Sequence, residues 1–357
     1  MAEAEASSAL KQKSRIRQTA KTRRSVCFVT ALIDEAGRCV RMAEGLQATG
    51  YSVALYETAE FLRAPNPDFD AYIFHHPTVN HAQLRSVVTS LGNLRRTLIS
   101  DWDLPLFCDE IFGSEQPAEQ NGEPPLKTTD YIAGMKLFRR LSAATPPLAE
   151  LASLYQPDVE LMTVPDGISP RLKGLSDVLQ LPVVPRNPKS LGFVANTPQA
   201  ASDLALIYDV LFKIVSEDSA CTLTIFGPLE LPGPLLAHPR VKQEAPLSKL
   251  SPELDLTRVA CIVDPHVDQK RDRCVSRIGF LQASLAGCQY VASPLPDLSG
   301  LDAPNLRLAA GQSEWHDQIQ DALTSTKSLR AARSAASHAK KNHASATIMS
   351  QFQNFLA

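Results

Sequence analysis

The feature that most constrains this chain is a rhythm. Short apolar runs alternate with segments of helical spacing, and the alternation occurs twice, before and after a proline-rich stretch. Ser25-Val-Cys-Phe-Val-Thr-Ala31 is an apolar run bounded by charge and turn residues, which reads as a buried strand. A helical segment follows from about Arg38 to Thr49 and ends at Gly50. Strands are predicted at Ser52–Tyr56, Ala71–Phe74 and Thr97–Ser100, with a helix near Ala82–Leu91. Residues 113–130 read as an exposed loop, Tyr131–Leu141 as a helix, and Leu141–Ala144 and Leu161–Val164 as short strands. Strand and helix in turn at this spacing mean parallel βαβ units.

Pro182-Val-Val-Pro-Arg-Asn-Pro188 cannot be helical and favours an extended connector. A second series follows it. Strands are predicted at Ser190–Val194, Thr222–Phe226, Val259–Val263 and Tyr290–Ala292, and helices at Ala200–Val215, Ile278–Ala286, Glu314–Thr324 and Ser328–His343. The expected division is a basic arm over 1–24, a first Rossmann-like lobe over 25–181, the linker at 182–188, a second lobe over 189–325 and a C-terminal helix over 326–357. Two α/β lobes face each other across a cleft in this reading, with C-terminal helices closing the chain. Ligands of open α/β sheets bind at the carboxyl ends of the strands. Neither half carries a G-x-G-x-x-G fingerprint or a Walker loop, so the dinucleotide and ATP readings are weak.

The length of 357 residues, with 44% hydrophobic side chains, allows each half a real core. No stretch approaches the roughly 20 apolar residues of a membrane span. The charged N-terminus lacks a signal-peptide core, so the expectation is a cytoplasmic protein. The seven cysteines are scattered and never spaced as C-x-x-C, which favours small buried hydrophobes over zinc ligation or disulfides. Charge is divided unevenly: residues 1–24 carry seven Lys and Arg against two Glu, leaving −7 for the rest of a chain of net −2. Such an arm suits contact with anionic lipid at the inner face of the membrane, or is a solvated tail. Nothing basic and aromatic follows it, which argues against nucleic acid as a partner.

Specific motifs stand in the second half. Leu191-Gly-Phe-Val, Leu223-Thr-Ile-Phe-Gly-Pro-Leu-Glu-Leu-Pro232 and Phe280-Leu-Gln-Ala-Ser-Leu-Ala-Gly-Cys-Gln-Tyr-Val-Ala-Ser-Pro294 are three of them. Arg41, Ser100-Asp-Trp-Asp-Leu-Pro-Leu-Phe107, Thr145-Pro-Pro-Leu-Ala149 and Pro165-Asp-Gly167 accompany them in the first half. Together these resemble bacterial GT-B glycosyltransferases of the family-four type, which help assemble surface polysaccharides. The resemblance implies transfer of a sugar from a nucleotide-sugar co-substrate to a saccharide or lipid-linked acceptor. It also implies retention of configuration and no metal or other cofactor. The leaving diphosphate is then met by a helix N-terminus, backbone amides and cations. Gly227, Arg273, Ser276, Arg277 and Gln282 fall at the donor positions. Arg41, His75 and Asp101 fall in the cleft, with Asp103 and His76 as catalytic candidates.

The donor motif departs from the family pattern Asn-x-x-Lys-Ser-x-x-Lys-Phe-x-Glu. Val275 and Gly279 stand where the two lysines belong, Gln282 replaces the glutamate, and Leu104 replaces a second aspartate of the first half. Lys270, Arg271, Arg273 and Arg277 crowd the same turn and are candidate replacements. Bland readings run alongside. Gly227-Pro228 serves equally as a tight strand exit, Ser276 as a helix cap, the arginines as a solvated face, and His75, His76 and Asp264-Pro-His266 as strand-end structure. Two functions follow: an active glycosyltransferase, or a catalytically inactive GT-B-like subunit that binds a glycan or a partner glycosyltransferase. A sugar-nucleotide epimerase of the same fold is a third.

Overall fold

A computed structural model describes residues 24–34, 37–108, 126–179, 186–195, 197 and 199–357. The basic arm up to residue 23, most of the predicted loop over 113–130 and the first part of the proline-rich connector lie outside the described residues.

Six parallel strands form the first sheet: β1 (Ser25–Thr30), β2 (Ser52–Glu57), β3 (Ala71–His75), β4 (Thr97–Trp102), β5 (Arg140–Ala143) and β6 (Glu160–Thr163), in the order β2-β1-β3-β4-β5-β6. Six more form the second: β7 (Ser190–Val194), β8 (Thr222–Phe226), β9 (Val241–Glu244), β10 (Cys261–Asp264), β11 (Gln289–Ala292) and β12 (Leu306–Leu308), in the order β12-β11-β10-β7-β8-β9. Chain direction across the sheet reverses between β1 and β3 in one lobe and between β7 and β10 in the other. Those are the points where the carboxyl ends of the strands open a crevice. Parallel strands covered on both faces must be apolar throughout, which is why Val26, Cys27 and Phe28 run consecutively and are all fully buried. All seven cysteines are buried and unpaired.

The expected helix over Tyr131–Leu141 is shorter and earlier, Thr128–Met135. Its last residues are taken by β5, which pairs with β4 and β6 on either side. A helix there would leave β6 without a backbone partner and one side of β4 open.

The lobes share more than one connection. The helix Pro170–Leu179 puts Leu172 into the core of the second lobe, and Ser176 donates to the Leu285 carbonyl at 3.2 Å. The helix Thr326–Asn342 packs Ala339 into that same core. The chain then breaks at His343 and Ala344, where the Ile168 N–H donates to the His343 carbonyl at 2.7 Å. Beyond the break, the helix Ser345–Phe352 returns to the first lobe and packs Met349 and Phe352 against Met42 and Leu46. Among the described residues no helix is long and apolar enough to cross a membrane.

Candidate functional site

β1 runs into the helix Arg38–Ala48, whose first residue turns back over the carboxyl ends of the sheet. Arg38 is buried and grips Asp101 with two parallel bonds, Nε to Oδ2 at 2.9 Å and Nη2 to Oδ1 at 3.0 Å. This forked geometry is the strong form of the arginine–carboxylate pair. Arg38 also donates to the Val164 carbonyl at 2.8 Å and reaches Asp166 at 3.3 Å. Ser142, on β5, donates to Asp101 Oδ1 at 2.7 Å. Asp101 is fully buried; burial alone would raise its pKa, but Arg38 and His75 outweigh it and hold the carboxyl far below the ordinary range. The Arg38 guanidinium, disfavoured by burial, is held charged by Asp101 and Asp166.

Arg41 and Asp101 were both expected to line the cleft. Arg41 lies one turn into the helix, nearly buried, with Nη2 on Asp166 at 2.7 Å. Both side chains are therefore interior and held in ion pairs. Arg38, which organises them, carries no motif signal; only its place at the head of the first helix after β1 marks it.

His75 and His76 close β3. His75 Nδ1 meets Asp101 Oδ2 at 2.9 Å. His76 has φ of 48°, a left-handed conformation that costs a non-glycine residue about 1–3 kcal/mol and concentrates at functional positions. This twist stacks the two imidazoles at 3.8 Å between ring centroids and brings His76 Nε2 to 2.8 Å from Asp103 Oδ1, with His75 Nε2 at 3.7 Å from the same oxygen. Burial works against a charge on either ring. In His75 the Asp103 and Asp101 carboxylates overcome it and raise the pKa, whereas in His76 burial and the neighbouring His75 lower it. Asp103, despite burial, is held strongly ionised by both histidines. One ring of the stack thus favours its charged form and the other its neutral form.

The second lobe presents the turn before the helix Ile278–Leu285. Ser276 Oγ donates to Asp166 Oδ2 at 2.6 Å across the crevice, and Thr145 Oγ1 donates to the Cys274 carbonyl at 3.2 Å beside it. A continuous polar path therefore runs from Ser276 through Asp166, Arg38 and Asp101 to His75. The helix cap position belongs to Arg277, and Ser276 Oγ only reaches the Ile278 N–H at 3.4 Å.

The cations of this turn have different fates. Arg277 is held by buried Asp297, with its Nε at 3.0 Å and its backbone N–H at 2.7 Å from Oδ2 and Nη2 on Oδ1. Arg271 donates to Gln199 Oε1 at 2.5 Å. Arg273 is exposed and makes no ion pair or hydrogen bond through its side chain among the described residues. Gln282 is half-buried, and among the described residues its side chain makes no hydrogen bond.

Gly279 is closely packed. A Cβ at Gly279 would lie 2.8 Å from the Tyr290 hydroxyl, which donates to Asp264. His266 Nε2 is 3.1 Å from Asp264 Oδ2. Burial disfavours its charge, but Asp264 and Asp272 push the His266 pKa up to about 10. Gly227, expected at the donor site, has φ of 113°, and a Cβ there would meet the Ala195 carbonyl oxygen at 2.3 Å. Glycine is required at that position by the backbone alone.

No protein-family model and no curated protein sequence matches the chain. Solved structures do. HepE from Anabaena, solved with UDP-glucose, is 13% identical and superimposes with a TM-score of 0.56, over 93% of this chain and 99% of that one. A glycosyltransferase from Rickettsia africae gives 9% identity and a TM-score of 0.57, over 94% and 98%. Sucrose-phosphate synthase from Thermosynechococcus elongatus gives 12% and 0.56, over 94% and 99%. At such identities the likeness is one of backbone architecture. Two six-stranded parallel sheets facing across a crevice, with the chain returning to its first lobe at the end, are the GT-B fold of these glycosyltransferases.

Proposed function

We propose that the chain is a glycosyltransferase that takes a sugar from a nucleotide diphosphate and passes it, with retention, to a saccharide or lipid-linked acceptor. The observation that carries this reading is the pairing, on opposite lobes of one crevice, of the Ser276 turn with the His75–His76–Asp103 cluster, joined through Asp166, Arg38 and Asp101. In the transfer, the bond between the anomeric carbon and the diphosphate breaks, and the acceptor oxygen bonds to that carbon and releases its proton. The leaving diphosphate gains charge and is met by Arg273, the uncommitted cation of the turn, and by the amides that open the Ile278–Leu285 helix. Gln282 holds a ribose hydroxyl through a neutral hydrogen bond. Across the crevice, His76 and Asp103 receive the acceptor hydroxyl and its proton. The UDP-glucose held by the Anabaena HepE structure supports a sugar nucleotide as donor.

Isothermal titration with UDP, GDP and dTDP tests the reading. Binding of at least one in the micromolar range is expected, weakened about tenfold or more by Arg273→Ala, since a cation on a phosphate contributes on the order of 1.5–3 kcal/mol. No heat with any of the three removes the transferase reading.

A second reading has its own support. Val275 and Gly279 supply no cation, and Asp297 retains Arg277. A GT-B-like subunit without catalysis, binding a glycan or an active transferase, would look the same. It predicts co-purification with that transferase and no nucleotide binding, and sugar-nucleotide hydrolysis by the isolated chain counts against it.

A further inference from the structure

The geometry points to a site for one divalent transition-metal ion of the zinc class at the carboxyl edge of the first sheet, held by His75 Nε2, His76 Nε2 and a carboxylate oxygen of Asp103. The ligand atoms of the three residues lie within 4.8 Å of one another. In a tetrahedral site with bonds of about 2.0–2.1 Å, ligand atoms sit roughly 3.3 Å apart. The separations here, 2.8 Å from His76 and 3.7 Å from His75 to Asp103 Oδ1, bracket that value.

Three features make this more than a cluster of polar groups. Asp103 Oδ1 is buried and has no hydrogen-bond partner, although His76 Nε2 is so near. The Asp103 N–H also points to His76 Nε2, at 3.4 Å, so this ring nitrogen and the carboxylate of Asp103 are held against one another. His75 offers Nε2 because its other nitrogen is committed to Asp101 at 2.9 Å, and Asp101 is itself fixed by Arg38 and Ser142. A carboxylate behind a ligating histidine, itself hydrogen-bonded, is the arrangement that orients metal-bound imidazoles. Two nitrogens and one oxygen suit zinc and its neighbours rather than magnesium or calcium, and three protein ligands leave a position open. With the ion bound, that position, in place of His76 and Asp103, would take the acceptor hydroxyl and lower its pKa. This last role rests on the transferase reading; metal binding itself does not.

The test uses the full chain, stripped with a chelator and titrated calorimetrically with zinc alone. One ion per chain is expected, with affinity at least tenfold weaker in His76→Ala and in Asp103→Asn. His338→Ala, in the exposed His338–Asn342 pair, should leave binding unchanged. Cobalt in place of zinc should give the visible bands of a four-coordinate site with no thiolate charge-transfer band, since every cysteine is buried elsewhere. The cobalt spectrum of the parent chain decides the matter even where a variant fails to fold. Absence of saturable uptake, uptake unchanged in both variants, or a thiolate band overturns the site. No nucleotide enters either measurement, so a failed UDP titration leaves this result standing, and the reverse.

Discussion

Ser276 of the second lobe donates its hydroxyl to Asp166 of the first at 2.6 Å, and the same carboxylate takes Arg41 at 2.7 Å and Arg38 at 3.3 Å. One carboxylate is therefore shared between the buried core of one lobe and the turn before the Ile278–Leu285 helix of the other. Burial favours its neutral form, but Arg41 and Arg38 hold the Asp166 pKa down, so the bond from Ser276 is made to a full charge. Ser276→Ala should lower stability by about 1.5–2 kcal/mol, the low side of a hydrogen bond to a charged group. Urea denaturation reads the loss, and small-angle scattering should show a larger radius of gyration. Unchanged stability and dimensions would mean the bridge does not hold the lobes.

Two arginines four residues apart should behave differently. Arg277→Ala removes the partner of buried Asp297 and should cost about 2 kcal/mol, because a carboxylate is left partly uncompensated. Arg273→Ala removes an exposed, uncommitted side chain and should change stability by less than about 0.5 kcal/mol. Its effect should fall on nucleotide affinity. Thermal melts of both variants beside titrations separate the roles, and equal loss of stability in the two would contradict the assignment.

A lysine at position 279 should cost stability. In Gly279→Lys the new Cβ would meet the Tyr290 hydroxyl at 2.8 Å, and the overpacking should cost about 1–3 kcal/mol. Adding Tyr290→Phe removes the obstructing oxygen and should return part of that loss, while Asp264 keeps His266 as partner. A double variant no more stable than Gly279→Lys would place the conflict elsewhere.

His343 predicts an acid sensitivity. It is buried at the crossing between the lobes, against Phe280, and burial together with the Arg277 charge lowers its pKa to about 4. In the unfolded chain the ring titrates near its ordinary value of about 6.5. Between those values the unfolded state binds more protons, so stability falls as pH drops from about 6.5 towards 4. The contribution is on the order of 2–3 kcal/mol. His343→Leu should flatten the stability profile relative to the parent chain over that window. Parallel profiles for the two proteins would show that the ring is not held neutral.

The strands of the first sheet were legible because their signals are local. A run such as Val26-Cys27-Phe28 states its own burial, and all four strands predicted in the first half up to residue 102 lie within two residues of their predicted ends. The edges of the second sheet were not legible. β9, Val-Lys-Gln-Glu, is polar and half-exposed, and β12 spans three residues. Such edge strands exist because a neighbour offers unpaired backbone groups, and their own sequences carry no such signal.

The site divides the same way. His75, His76, Asp101 and Asp103 could be singled out because each stands where an apolar run ends, which is where strands of an α/β sheet present their functional groups. Arg38 was missed, Arg277 proved committed to Asp297, and Ser276 proved bonded across the crevice. Arg38 and Asp101 are 63 residues apart, and Ser276 and Asp166 are 110 apart. The sequence alone determined the alternation of elements, the two lobes and the strand ends where His75, His76, Asp101 and Asp103 stand, because hydrophobic periodicity and turn residues act over a few positions. Which cation meets which carboxylate, and which cation is left for a ligand, was decided only when distant segments packed, because ion pairing depends on separation in space and on burial.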